Sequence, residues 1–161
     1  MKRSTFLKGL ATAAALALTP LAAVAEDGPI IVGEINHYKR MAAFAGPYKQ
    51  GMELAIEQIN AGGGVLDRPL EFIFRDDQGE PGEAVKIAEE LMTREGAVML
   101  TGSILSNVGL AISSFAGEKG YVYMASEPLA DSLVWSAGNP DTFRLRSSTH
   151  MQAGMLAEAA A

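Results

Sequence analysis

The stretch AVMLTGSILSN, residues 97–107, decides the fold of this chain together with the residues that follow it to position 125. Residues 97–101 form a short apolar run that predicts a buried strand, and Gly102 to Leu105 predicts the turn after it. Ser106 or Asn107 is then in place to cap a helix that ends at Gly120. Residues 121–125 predict the next strand. Residues 97–125 therefore predict a βαβ unit with parallel strands and a right-handed crossover.

The same alternation of strand and helix continues on both sides of this unit. Apolar runs predict further strands at 30–35 (IIVGEI), 70–74 (LEFIF) and 142–146 (TFRLR). One predicted helix opens at Pro47 after a loop from Asn36 to Gly46 and ends at 60–64, and its spacing predicts one apolar face with Tyr48, Met52, Ala55 and Ile59. A second helix opens at Pro81 or Gly82, and a last one starts at Thr149. The predicted fold class is α/β, with a parallel sheet covered by helices on both faces.

The first 25 residues predict a secretory signal. Lys2, Arg3 and Lys8 precede a mostly apolar run at 10–18, and Ala23-Val24-Ala25 offers small residues at a cleavage site. Cleavage after Ala25 removes three of the 13 basic residues and none of the 19 acidic ones, which leaves a net charge of −9. We therefore expect a periplasmic protein with a signal peptide at 1–25 and one domain at 26–161.

Composition excludes several classes of function. The chain has no cysteine, so disulfides, lipid attachment through cysteine, cysteine-ligated zinc and a cysteine nucleophile are ruled out. Its acidic balance disfavours nucleic acid, because binding to phosphates needs clustered Lys and Arg. No run reaches the roughly 18 apolar residues of a membrane span.

Ligands of parallel α/β sheets bind at the carboxyl ends of the strands, which selects the loops 36–46, 102–107 and 126–132. Ser106 and Asn107 at a helix start offer donors to a carboxylate, although simple helix capping explains them too. Glu127, next to Ser126, is either a contact for a polar ligand group or a solvated turn acid. Tyr38 and Phe44 suggest a stacking wall or ordinary loop anchors.

Catalysis and cofactors find little support in the sequence. His37 and His150 are the two histidines, and no G-x-S-x-G elbow accompanies them. Asp76 and Asp77 do not fit the EF-hand spacing and are predicted to cap a turn. No dinucleotide or P-loop glycine pattern is present. We expect no catalytic residue, no cofactor and no metal ligand set.

From residue 30 onward the chain resembles the N-terminal lobe of a type I periplasmic binding protein of the leucine/isoleucine/valine-binding family. The resemblance rests on GMELAIEQINAGGGVL at 51–66, Arg75-Asp76-Asp77, the loop 102–107 and TFRLR at 142–146. It implies a soluble receptor with two lobes that close on a small carboxylate and deliver it to the permease of an ABC importer. Such proteins are usually more than twice this length, so we expect the second lobe to be missing from a chain that stops within its last helix.

The resemblance also assigns roles to single residues. Ser106, with backbone N–H groups near Asn107, matches the group that holds the ligand carboxylate, and Phe44 matches the aromatic beside the ligand side chain. The loops at 36–40 and 126–129 depart from the common pattern, and the first of them resembles the loop of members that take other carboxylates, including aromatic acids. Two alternatives stay open, namely a sensor domain of the same fold and a secreted α/β enzyme such as a hydrolase.

Overall fold

The computed structural model describes residues 28–160, which form five strands, four α-helices and one short 3-10 helix at Asp131–Leu133. The strands are β1 (Ile30–Asn36), β2 (Leu70–Asp76), β3 (Met99–Gly102), β4 (Tyr123–Ala125) and β5 (Thr142–Arg144). The helices are α1 (Ala42–Ala61), α2 (Pro81–Thr93), α3 (Ser106–Lys119) and α4 (Thr149–Ala160). The predicted signal peptide lies outside the described residues.

All five strands run parallel, in the order β2-β1-β3-β4-β5. Gly33 of β1 pairs with Ile73 of β2 on one side and with Leu100 of β3 on the other. The order of the strands reverses at β1, because the chain first moves to β2 and then crosses back to β3. This architecture confirms the predicted α/β fold and places a topological switch point between β1 and β3.

One face of the sheet carries a continuous apolar core. Ile35, Leu100 and Tyr123 project from the strands into a cluster that α2 and α3 complete with Ala84, Ile87, Ala88, Leu91, Val108, Ile112, Phe115 and Ala116. The helices lie very close to the strands, since a Cβ on Gly33 would be 2.9 Å from Leu91 Cδ1. Burial of these side chains is the main source of stability on this face.

The opposite face is more polar and is covered by α1. Because side chains alternate along a strand, Glu34, Thr101 and Phe74 point away from the α2/α3 core. Lys49 of α1 lies over the Phe74 ring, with its Nζ 4.7 Å from the ring centroid. The predicted apolar face of α1 is only partly covered, and Ile59 within it is 39% exposed.

The predicted start of α1 at Pro47 is wrong. The helix begins at Ala42, and Pro47 lies inside it. The first turn is closed by the backbone N–H groups of Phe44 and Ala45, which both donate to the Met41 carbonyl at 2.9 Å. Alanine has the highest helix propensity of any residue, and the alanines at 42, 43 and 45 favour a helix that begins ahead of the proline. Pro47 is the sixth residue of the helix and has no N–H, so the carbonyl of Ala43 lacks its regular partner within the helix.

The predicted side-chain cap of α3 is also wrong. Leu105 occupies the N-cap position without a side-chain hydrogen bond, and Ser106 is already helical. The other end follows the prediction, because Gly120 ends the helix in the left-handed conformation with φ 69°.

Candidate functional site

Three loops meet at the carboxyl ends of β1, β3 and β4, and Asn36 joins them. The side-chain amide oxygen Oδ1 of Asn36 accepts the backbone N–H of His37 at 2.9 Å and that of Ile104 at 3.0 Å. Its amide group donates to the Glu127 carboxylate at 3.4 Å. Asn36 is fully buried, so these bonds form a fixed junction between the three loops that the sequence selected.

The turn between β3 and α3 has an unusual backbone. Gly102 has φ 109° and Ser103 has φ 68°, both in the left-handed region. A side chain at Gly102 is excluded, because its Cβ would lie 2.4 Å from the Ile35 carbonyl oxygen. The turn delivers the chain to the start of α3, where the first N–H groups of a helix have no partner within the helix and attract anions.

The loop after β4 is fixed against the same helix start. The Ser106 hydroxyl accepts the N–H groups of Leu129 and Ala130, each at 3.2 Å. Pro128 fits against Gly109, where a Cβ would come within 2.6 Å of the proline Cγ. The Arg144 guanidinium donates to the carbonyls of Leu129 and Ala130. The loop is therefore held in one conformation beside the free end of α3.

A buried acid lies beneath these loops. Glu34 of β1 is fully buried, and its Oε2 accepts a hydrogen bond from the Tyr38 hydroxyl. Desolvation raises the pKa of Glu34 to about 8, although hydrogen bonds from Tyr38 and Asn36 oppose the rise. The side chain is consequently mostly neutral at pH 7. Its Oε1 has no hydrogen-bond partner among the described residues.

Two tyrosines of the first loop and of α1 surround this acid. The Tyr48 hydroxyl donates to the Ser126 hydroxyl at 3.0 Å, and the Tyr38 ring packs edge-on against Phe74. Burial is the main reason that the pKa of Tyr48 rises to about 12 and that of Tyr38 rises further, so both hydroxyls stay protonated. Glu34, Tyr38 and Tyr48 therefore supply neutral hydrogen-bonding groups beneath the loops of the site.

The predicted site residues do not share one environment. Phe44 lies on the first turn of α1 and is 64% exposed, and Asn107 is exposed at the start of α3. Glu127 is half-buried, and desolvation is the main reason that the pKa of its carboxyl is raised. Ser126 is buried against Tyr48, and Tyr38 turns its hydroxyl inward. Phe44 and Asn107 are thus exposed to solvent, whereas Glu127 is only partly exposed.

Sequence reasoning missed Glu34, Tyr48 and the joining role of Asn36. A signal for Glu34 was available, because a single acid interrupts the otherwise apolar strand IIVGEI. Tyr48 lies in a segment that was predicted to form an apolar helix face.

The two histidines lie in different surroundings. His37 is buried beside Asp76 and Asp77, whereas His150 is exposed and its ring packs against Trp135. Both aspartates cap the turn that follows them, as predicted, by accepting the N–H groups of Gln78 and Gly79.

Sequence comparison decides between the classes of protein that this geometry allows. The profile of a family described as periplasmic binding protein matches residues 40–161. The chain belongs to that family. Its relatives and structural neighbours place it among the type I members of the branched-chain amino acid group, which confirms the resemblance noted in the sequence. These are substrate-binding proteins and not enzymes, so the family assignment also confirms the prediction of a non-catalytic protein.

Three similar proteins illustrate the assignment. A Leu/Ile/Val-binding protein homologue of Brucella melitensis is 28% identical over 118 residues, which are 73% of this chain and 32% of the relative. A substrate-binding protein of a chemotactic signal transduction system from Halobacterium salinarum is 24% identical over 70% of this chain and 28% of its own length. The crystal structure of an ABC transporter substrate-binding protein from Desulfitobacterium hafniense, in complex with Leu, has a TM-score of 0.74 and 25% identity, covering 82% of this chain and 38% of the other.

The chain therefore spans about a third of the length of the curated relatives that it matches. Among residues 28–160, none of the helices combines the length and the apolar character needed to cross a membrane.

Proposed function

We propose that residues 26–161 form the N-terminal lobe of an extracytoplasmic solute receptor that binds a branched-chain amino acid or a related small carboxylate for an ABC importer. The observation that carries the proposal is the junction at Asn36, which gathers three loops at the switch point of the sheet beside the start of α3. Relatives named for binding Leu, Ile and Val support an amino acid or a similar acid as the ligand.

The ligand carboxylate would lie at the start of α3. The first N–H groups of the helix and the Asn107 amide are the donors, and the positive end of the helix dipole adds about 0.3–1 kcal/mol at an exposed site. The Ser106 hydroxyl already accepts two backbone N–H groups, so it is left with its own proton to donate. Phe44 and Glu127 would contact the rest of the ligand, one through its ring and the other through its carboxylate.

Closure follows from differential affinity. A ligand that contacts both lobes only in the closed state shifts the population toward that state and is then presented to the permease in the inner membrane. Export to the periplasm would rest on the signal at 1–25, and N-terminal sequencing of the secreted protein should then begin at Glu26.

Ligand screening of the intact protein tests the proposal. Thermal shift against amino acids and aromatic carboxylates should identify a ligand that raises the melting temperature, and titration calorimetry should give its affinity. Asn107→Asp puts a negative charge beside the carboxylate and should weaken binding by about tenfold or more, which is at least about 1.4 kcal/mol. Ser106→Ala should weaken it as well.

Ser114→Ala is the matched control, because Ser114 is exposed in the middle of the same helix. Unchanged affinity in both Asn107→Asp and Ser106→Ala would show that the carboxylate binds elsewhere.

A sensor is the second candidate, because one relative serves a chemotactic signal transduction system. The two functions predict different partner proteins for the same receptor. An importer requires permease and ATPase subunits, and reconstituted transport of the ligand should depend on this protein. A sensor should bind the same ligand but leave uptake unchanged when its gene is deleted.

A further inference from the structure

A histidine and two aspartates meet at the carboxyl ends of β1 and β2, beside the site described above. The His37 Nδ1 atom lies 3.5 Å from Asp77 Oδ1 and 3.9 Å from Asp76 Oδ1. One ligand atom from each residue falls within 4.8 Å of the other two. For a tetrahedral ion with metal–ligand distances of about 2.1 Å, ligand atoms are about 3.4 Å apart, so the distances from His37 Nδ1 to the two aspartates are close to those around a bound metal.

Two atoms of the cluster are buried without a partner. His37 is 5% exposed and Asp77 is fully buried, yet His37 Nδ1 and Asp77 Oδ2 make no hydrogen bond within residues 28–160. Buried polar atoms in native proteins almost always have a partner. The Nδ1 atom of His37 faces the two carboxylates. A cation bound between them would supply the partner that this nitrogen lacks.

The carboxylates are held in place by the backbone. Asp76 accepts the N–H groups of Gln78 at 2.8 Å and Lys39 at 3.2 Å, and Asp77 accepts that of Gly79 at 2.7 Å. Each carboxylate oxygen has two lone pairs, so these bonds leave room for a metal. Gly79 has φ 79°, and a Cβ there would lie 3.2 Å from the His37 ring. Such outer contacts orient metal ligands before the ion arrives.

We propose that His37, Asp76 and Asp77 bind a divalent transition metal ion, with Zn²⁺ preferred. One imidazole nitrogen and two carboxylates suit zinc with water as the fourth ligand, whereas Ca²⁺ needs six to eight oxygen ligands. The ion reaches the site through a depression of about 250 Å³ that is lined by His37, Lys39, Arg40, Gln78 and Glu80. Two cations line that entrance, and the negative charge of Asp76, Asp77 and Glu80 exceeds theirs.

The bound ion would tie the first loop to the end of β2. His37 directly precedes Tyr38, whose hydroxyl donates to Glu34, so the metal would hold the residue next to this contact. This site is distinct from the start of α3, and its test does not depend on the ligand.

Calorimetric titration of the metal-free intact protein with ZnCl₂ tests the proposal. We expect one Zn²⁺ per chain, weaker binding of Mn²⁺ and no saturable binding of Mg²⁺. His37→Ala and Asp76→Asn should each weaken Zn²⁺ binding by about tenfold or more. His150→Ala is the matched control and should retain the affinity of the unaltered protein.

Two further results keep the test decisive if His37→Ala fails to fold. Asp76 is partly exposed, so Asp76→Asn should fold and show the loss by itself. Co²⁺ bound to the unaltered protein should give the intense visible absorption of a four-coordinate site, and Zn²⁺ should remove it. Absence of Zn²⁺ binding, or equal binding by the unaltered protein and Asp76→Asn, would overturn the proposal.

Discussion

The two faces of the sheet differ in chemistry although they share the same strands. Toward α2 and α3 the strands present Ile35, Leu100 and Tyr123 to a continuous apolar core. Toward α1 they present the buried acid Glu34, and Ala45 is the one residue of α1 that is fully buried. The comparison indicates that the α2/α3 face fixes the fold, whereas the α1 face places polar groups under the candidate binding loops.

The largest effect is expected from a cavity in the α2/α3 face. Leu91 of α2 is fully buried in the core cluster. Leu91→Ala should lower the free energy of unfolding by about 2–5 kcal/mol, because it removes apolar contacts and leaves a void. Urea denaturation of the chain measures the loss.

The matched substitution lies on α1. Leu54 is 55% exposed, so Leu54→Ala should change the stability by less than about 0.5 kcal/mol. Similar losses in the two variants would contradict the assignment of stability to the α2/α3 face.

The next effect concerns pH and the acid under α1. Burial raises the pKa of Glu34 from 4.5 to about 8, so the folded protein holds a proton that the unfolded chain has released between these pH values. Its stability should therefore fall as the pH rises from about 4.5 to about 8 and level off above that range. One pKa unit corresponds to about 1.4 kcal/mol, so the total loss should reach a few kcal/mol.

Glu34→Gln should abolish this part of the pH dependence, since the amide does not ionise. Glu53→Gln is the control, because Glu53 on α1 has a half-exposed side chain. The measurement is denaturation at several pH values. A slope that persists in Glu34→Gln would mean that another group titrates.

A smaller effect is expected from a single hydrogen bond on the α1 face. Tyr48→Phe removes the hydroxyl that donates to Ser126 and should cost about 0.5–1.5 kcal/mol. Tyr121 packs on the opposite core and its hydroxyl makes no hydrogen bond within the described residues, so Tyr121→Phe should be nearly neutral. Thermal unfolding measures the melting temperature of each variant. Equal decreases in melting temperature would contradict the stabilising role of the Tyr48 hydrogen bond.

The elements of the α2/α3 face could be predicted from the sequence, whereas those of the α1 face could not. Periodicity predicted α2, α3 and the central strands because each pairs an apolar face with a buried core. The start of α1 was mispredicted, because Pro47 is a strong local signal and the preceding alanines are a weak one distributed over several positions. The partial exposure of Ile59 likewise depends on what packs against α1, which no periodicity records.

The candidate site was predictable as a place but not as a set of contacts. The rule for parallel sheets selected three loops that the structure brings together, since the rule depends only on the order of strands and helices. The proximity of Asn36 to both Ile104 and Glu127 joins residues that are 68 and 91 positions apart, and only the folded chain reveals it. The pairing of His37 with Asp76 and Asp77 was missed for the same reason.

The central claim is that a ligand carboxylate binds where the three loops meet at the start of α3. A crystal structure of the intact protein with its best ligand tests this most directly. We predict carboxylate oxygens about 2.7–3.2 Å from the first backbone N–H groups of α3 and from the Asn107 amide. A ligand bound away from the loops that Asn36 joins would contradict the claim.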